Sequence, residues 1–315
     1  MYMLKTPLEF LPNFSRMIGR KIWIKRDDCN GDILTAGNKQ RKIRLLLADA
    51  KSKGADVVLT SGGPQSNHAR TTAAMAQKEG LEAILVLGGT EPVDATGNYL
   101  LNRIMAAKML FTGASTQAEM GEALLATAQR LREQGRNPYI IPIGGSNALG
   151  SSAYVDAYNE LKRQSTEQAF DWLFVSAGSG GTMGGILAGT LFHSDQTRVV
   201  GISPWLKAEE IRDKVRQCAE GAAALAGREL SIDGDQVLVS DAYIGEGYGI
   251  PTKEGVDALL ALARSESILL DYVYTSKAMA GCLDYIKKGI IKDTENILFW
   301  HTGGAPSIFN HKVPD

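Results

Sequence analysis

The chain reads as an α/β protein built on parallel sheets, and two observations point there. Short apolar, β-branched runs recur at KIWIKRD (residues 21–27), DVVLTSG (56–62), AILVLGG (83–89), YIIPIGG (139–145), WLFVSAG (172–178) and RVVGISP (198–204), spaced by helix-like segments. That alternation is the pattern of buried parallel strands joined by crossover helices. The Gly/Ser-rich turns SGGPQSN, IGGSNALG and AGSGGTMGG each follow such a run. Right-handed crossovers then place all three on the one sheet edge where open α/β folds bind ligands.

Taken in order, the strand at 21–27 is followed by the helix NKQRKIRLLLADAKSKG, stopped by Gly54. The run at 56–62 precedes a helix from about Gln65 to Glu79. After 83–89 come two helical stretches, about Gly97 to Met109 and Ser115 to Gln134. The strand at 139–145 leads to the helix SSAYVDAYNELKRQS, and the strand at 172–178 to a helix that begins near Thr182. The stretch IPIGGSNALGSS (141–152) is the best place for a crossing between domains. No internal repeat or low-complexity tract is present, so a solenoid is not supported.

Bulk properties narrow the function. A chain of 315 residues holds one large or two smaller cores, and 44% hydrophobic with 22% charged residues is the composition of a soluble globular protein. Lys+Arg 34 against Asp+Glu 35 suggests neither a nucleic-acid nor a membrane surface. The amino terminus lacks the apolar core of a signal peptide and no run is long enough to span a membrane, so a cytoplasmic location is expected. Cys29, Cys218 and Cys282 are odd in number and scattered, which reads as reduced thiols. No CxxC is present and His68, His193, His301 and His311 lie far apart, so no metal site is expected.

Two features carry chemistry. Lys39 follows Gly37 and Asn38 where loop becomes helix, with Arg41, Lys42 and Arg44 behind it. Neighbouring cations disfavour an ammonium, and a neutral amine attacks carbonyls. On spacing alone, a solvated basic first turn remains the other reading. The second feature is Gly178, Ser179, Gly180, Gly181 and Thr182, after an apolar run and before a helix. Its glycines let backbone approach an anion, and the helix amino terminus supplies free N–H groups. It is neither GxxxxGK[ST] nor GxGxxG, because Met183 stands where the third glycine belongs. It suits a terminal phosphate, or else it is a tight turn that binds nothing. A phosphate loop and an activated lysine on one sheet edge together suggest pyridoxal 5'-phosphate (PLP).

Seven motifs in order then carry a resemblance: IKRDD (24–28), GNKQRK (37–42), QSNHAR (65–70), AGSGGT (177–182), EGYGIP (246–251), VYTSKAMAG (273–281) and HTGG (301–304). The chain resembles the fold-type-II PLP enzymes, in the branch of 1-aminocyclopropane-1-carboxylate deaminase and D-cysteine desulfhydrase. The resemblance implies a tryptophan synthase β-like fold of two open, twisted parallel-sheet domains flanked by helices. Residues 1–41 plus 151–315 would form the larger, PLP-binding domain and residues 42–150 the smaller. It also implies a homodimer acting on a small amino acid.

By the same resemblance Lys39 forms the Schiff base, Asn67 meets the cofactor's 3'-oxygen and residues 178–182 hold the phosphate. Ser66 lies near the substrate carboxylate and Cα, Tyr248 and Tyr274 are the two active-site tyrosines, and Thr275 faces the pyridine nitrogen. Ser66, Asn67, His68, Tyr248 and Tyr274 would bind substrate. Ordinary roles stand beside these: Ser66 as a helix cap, Tyr248 as a packing ring, His68 as a solvent-facing residue of a first turn. His301 is read as shaping the ring-nitrogen end of the site.

The deaminases carry glutamate where this chain has Thr275, and glutamine where it has His68. Both departures favour a β-substituted amino acid with a sulfur leaving group, giving pyruvate, hydrogen sulfide and ammonia from D-cysteine. Ser276 replaces an expected glycine. The alternatives are deamination of the cyclopropane acid, elimination from L-cysteate, a racemase, and a non-catalytic amino-acid binding protein.

Overall fold

The computed structural model describes residues 5–31 and 37–311. Residues 1–4, 32–36 and 312–315, parts of the expected larger domain, lie outside the described residues. In chain order, β1 (Leu8–Phe10), α1 (Pro12–Ile18) and β2 (Ile22–Arg26) precede α2 (Asn38–Ser52). Next come β3 (Val57–Gly62), α3 (Asn67–Lys78), β4 (Glu82–Leu87), α4 (Gly97–Ile104), β5 (Lys108–Phe111), α5 (Gln117–Glu133) and β6 (Pro138–Ile140). The remainder is α6 (Ala148–Gln164), β7 (Trp172–Ser176), α7 (Gly181–Phe192), β8 (Arg198–Ile202), α8 (Ala208–Leu225), β9 (Leu238–Ser240), α9 (Lys253–Glu266), α10 (Thr275–Lys287) and β10 (Ile297–His301).

The strands form a six-stranded sheet of order β1-β2-β10-β7-β8-β9 and a four-stranded sheet of order β5-β4-β3-β6. Every pairing is parallel except β1 with β2. Helices cover both faces of the larger sheet, so its central strands have no polar face. Along β7 and β10, Leu173, Val175, Leu298 and Trp300 enter one core, and Trp172, Phe174, Ile297 and Phe299 enter the other. This is the period-2 alternation of a strand buried on both sides.

The smaller sheet draws all its strands from residues 57–140, and α2 packs on it. Ile43, Leu46, Leu47 and Ala50 recur at helical spacing and meet Val58, Met75 and Ile141. From the other side of α2, Arg41 reaches across to the larger sheet. Its guanidinium pairs with Asp27 at 2.9 Å and with Glu160 at 3.0 Å. Tyr154 and Trp300 also donate to Asp27, at 2.6 and 2.9 Å. The boundary expected after residue 41 thus falls inside an unbroken helix that ties the two sheets together.

Of the element boundaries that differ from expectation, two have a clear local cause. The helix expected to run to Met109 ends at Ile104, and Lys108–Phe111 is an edge strand paired with β4. Ala106 has φ +53°, which breaks the helix, and the good helix formers around it concealed the turn. The helix expected from Gln65 begins at Asn67, because the Ser66 hydroxyl accepts from the Ala69 N–H at 3.1 Å and caps it.

Candidate active site

A cleft of about 510 Å³ lies between the sheets, and its walls follow the carboxyl ends of the strands. Lining residues come from the end of β3 and the segment up to His68, from Gly88 and Gly89 after β4, from the segment between β5 and Met120, and from the end of β7 and the loop after it, Gly181 excepted. Thr302 to Gly304, after β10, close the floor. Of the sequence-derived residues, Lys39, Ser66, Asn67, His68, Gly178, Ser179, Gly180, Thr182, Tyr248 and Tyr274 line this cleft.

Lys39 is aimed by the turn before it. Gly37 has φ +109°, and a Cβ there would lie 2.8 Å from the Thr302 carbonyl oxygen, so only glycine fits beneath α2. Asn38 N–H donates to the same carbonyl at 3.0 Å, and the Lys39 amine donates to Asn38 Oδ1 at 3.0 Å. Burial lowers the Lys39 pKa to about 8, with Arg70 pushing the same way and Asp271 opposing. The chief cause is therefore burial and not the cationic crowd expected from sequence, of which Lys42, one turn on, is the member that couples to Lys39. Residues two apart on a helix point away from each other, and Arg41 is spent on Asp27 and Glu160.

The 178–182 loop turns close-packed backbone toward the cleft, between β7 and the amino terminus of α7. Gly180 has φ +83°, and a Cβ there would lie 2.9 Å from the Lys214 backbone. Asn38 donates to Thr182 Oγ1 at 2.9 Å, Trp205 donates to the Gly178 carbonyl at 2.9 Å, and the Ser146 and Ser179 hydroxyls meet at 2.8 Å. Gly181 does not line the cleft; its N–H donates to Ser146 Oγ at 3.2 Å. Lys42 is buried and donates to that same hydroxyl at 3.2 Å, with no carboxylate beside it among the described residues. Burial, and then Lys39, hold the Lys42 pKa well below its ordinary value. A phosphate at this loop would supply the missing counter-charge. Lys42, Asn38, Ser146 and Trp205 were not recognised from sequence in these roles, although GNKQRK contains two of them.

Opposite the loop, Ser66 both caps α3 and lines the cleft, so its two readings are compatible. Its hydroxyl oxygen accepts from Ala69, which leaves its proton to donate. His68 is buried, against the solvent-facing alternative, and its Nε2 meets Thr60 Oγ1 at 2.7 Å. Burial, reinforced by Lys39 and Lys42, pushes its pKa well below the usual histidine value, so the ring is neutral.

Tyr248 and Tyr274 share a hydrogen bond between hydroxyls at 2.5 Å, with Trp205 5.7 Å from the Tyr248 ring. Tyr248 is half exposed, but desolvation of its hydroxyl raises its pKa and that of Tyr274, so both hydroxyls keep their protons. The loop that carries Tyr248 is held by Lys277, which donates to the Ile244 and Gly247 carbonyls at 2.6 and 3.2 Å. Thr275 is fully buried and outside the cleft lining. Its hydroxyl donates to Asp271 Oδ1 at 2.7 Å and accepts from the Asp271 N–H at 2.8 Å, leaving one lone pair. His301 does not line the cleft either. Its Nε2 donates to the Leu269 carbonyl at 3.0 Å and its Nδ1 accepts from Gly303 N–H at 3.2 Å, which shapes the 302–304 turn.

A desolvated amine beside an anion cradle is the donor set an aldehyde-bearing phosphate ester needs. The family model described as pyridoxal-phosphate dependent enzyme matches residues 1–303, and the chain belongs to that family. A crystal structure of an ACC deaminase homologue superposes with a TM-score of 0.90 at 41% identity, covering 98% of this chain and 92% of that one. A pyridoxal 5'-phosphate-dependent aspartate racemase gives a TM-score of 0.71 at 16% identity, over 99% and 93%. A hydrogen sulfide-producing enzyme from Fusobacterium nucleatum gives 0.67 at 17%, over 96% of each chain. These last two share the fold. The protein is a PLP-dependent enzyme of fold type II, and no helix among its described residues is long and apolar enough to cross a membrane.

Proposed function

We propose that the protein is a lyase that eliminates the β-substituent of a small amino acid, with D-cysteine as the leading substrate. The net reaction converts D-cysteine and water to pyruvate, hydrogen sulfide and ammonia. The observation that carries the reading is that, apart from the lysines, the side chains assigned to the site are uncharged: a neutral His68, two protonated tyrosines and, outside the cleft lining, Thr275 where the deaminase pattern has a glutamate.

When bound, PLP supplies an electrophilic carbon for the substrate amine and a conjugated ring that takes up the electron pair released at Cα. Lys39 Nζ would hold that carbon in the resting enzyme and, once freed, take the α-proton; a pKa of about 8 suits both duties. The 178–182 loop and Lys42 would hold the phosphate. The backbone N–H groups at the α3 amino terminus and the Ser66 hydroxyl would hold the substrate carboxylate. Asn67 would donate to the cofactor's 3'-oxygen, and Thr275 would meet its ring nitrogen. The hydrogen-bonded Tyr248 and Tyr274 would give a proton to the departing sulfur. The homodimer, the cytoplasmic location and the two-domain division near residues 41 and 150 belong to this proposal and rest on the resemblance.

Deamination of 1-aminocyclopropane-1-carboxylate is the second reading, favoured by the relative at 41% identity. Pyruvate release from D-cysteine, the cyclopropane acid and L-cysteate, measured side by side, separates the readings. Turnover of D-cysteine with sulfide in equal amount supports elimination. Turnover of the cyclopropane acid alone supports the second reading, and enantiomer interconversion without pyruvate contradicts both.

A further inference from the structure

Arginine donates hydrogen bonds and never accepts them, so an amide facing it has only one orientation. Arg70, fully buried on α3, gives its Nε–H to Asn98 Oδ1 at 2.9 Å. The Asn98 oxygen is therefore turned to Arg70 and its nitrogen away. That nitrogen donates to Asn67 Oδ1 at 2.8 Å and to the Gln65 carbonyl at 3.0 Å. The Asn67 amide is fixed in turn: its oxygen is taken by Asn98, and only its Nδ2 remains for the cleft it lines.

The backbone around Asn98 is held just as firmly. Its own N–H donates to Gln65 Oε1 at 2.9 Å. Gly97 has φ +50°, and a Cβ there would lie 2.6 Å from that same oxygen. Asn98 is wholly buried and does not line the cleft, so it acts on the site through its neighbours, and Asn67 is the cleft-lining side chain it touches.

We propose that Asn98 is a positioning residue that sets the polarity of the cleft. Arg70 and Asn98 form a one-way relay that obliges Asn67 to present an N–H donor, never a carbonyl, to the cofactor's 3'-oxygen. This rests on the proposed contact of Asn67 with that oxygen. A donor there stabilises the oxygen as an anion, whereas a carbonyl would stabilise the protonated phenol. The relay thus selects the protonation state of the bound cofactor before substrate arrives.

The test uses the full-length protein loaded with pyridoxal phosphate, with the absorption spectrum and cofactor Kd as readouts. Asn98→Asp keeps an acceptor for Arg70 but replaces the donor facing Asn67 by an oxygen. The Asn67 amide then turns over, the spectrum moves toward the phenol form, and the cofactor Kd rises by about ten-fold. Asn98→Ser, which removes both amide atoms at smaller volume, should give a mixture of the two forms and serves if the aspartate variant does not fold. Unfolding curves identify the folded variants.

Asn67→Ala is the control. If it shifts the spectrum and a folded Asn98 variant does not, the relay is overturned while the Asn67 contact stands. If Asn67→Ala leaves spectrum and Kd unchanged, the contact itself is wrong and the relay falls with it. A shift in both that leaves the cofactor reducible onto Lys39 by borohydride supports the relay, because a merely structural defect would not exchange one cofactor form for the other.

Discussion

At the scale of single residues, the decisive quantity is the state of the Lys39 amine. At pH 7 an ordinary lysine of pKa 10.5 is about 0.03% neutral, whereas one near 8 is about 10% neutral. The neutral form reacts, so the rate of cofactor attachment should rise with pH and level off above about 8, not above 10.5. Stopped-flow absorbance of the apoprotein mixed with cofactor across pH 6–10 reads this midpoint. Ser66→Ala should lower kcat/KM at least ten-fold and leave cofactor affinity within two-fold if, as proposed, its hydroxyl holds the substrate carboxylate. Lys42→Met should do the reverse, weakening cofactor binding by about ten-fold or more, since the buried Lys42 amine meets no carboxylate among the described residues and a bound phosphate would be its counter-charge. Lys39 was legible from GNK at a helix start. Its partner Lys42 was not, because sequence spacing cannot tell which lysine of a basic turn is stripped of water.

At the scale of elements, β2, β3, β4, β7 and β8 were readable because each holds a run of buried apolar residues, with its polar residues at the strand ends. The edge strand β5 was not, since four residues with a half-exposed pattern carry little periodicity. Nor was the loop before α9 and α10, whose order depends on the buried Lys277 reaching back to the Ile244 and Gly247 carbonyls. Lys277→Met removes both bonds and leaves two carbonyls without their donor. It should raise KM by about ten-fold through the loss of Tyr248 placement while the cofactor spectrum is retained. Titrating substrate against the variant and the parent protein checks this.

At the scale of the whole molecule, β10 is last in the chain yet central in the larger sheet, an order that local patterning does not encode. Beside the same sheet lies the buried cluster of Asp27, just after β2, Arg41 on α2 and Glu160 on α6, which fixes α2, and with it Lys39. Burial alone would raise the pKa of Asp27 and of Glu160. The Arg41 guanidinium overcomes it at both, with Tyr154 and Trp300 helping at Asp27 and Lys25 at Glu160, so both values lie below normal. A carboxylate so depressed contributes stability above its unfolded value, 3.8 or 4.5 here, that is lost as pH falls through the folded value. Urea unfolding between pH 7 and 3 should show that loss, and Asp27→Asn should cost about 3–5 kcal/mol at neutral pH by leaving Arg41 short of its counter-charge.

The most direct test of the central claim, that Lys39 is the residue that carries the cofactor, is borohydride reduction of the PLP-loaded protein followed by peptide mass mapping. A single pyridoxyl adduct on Lys39, absent from the Lys39→Ala variant, is the predicted result. An adduct on Lys42, or none at Lys39 in a protein that turns over its substrate, would contradict it.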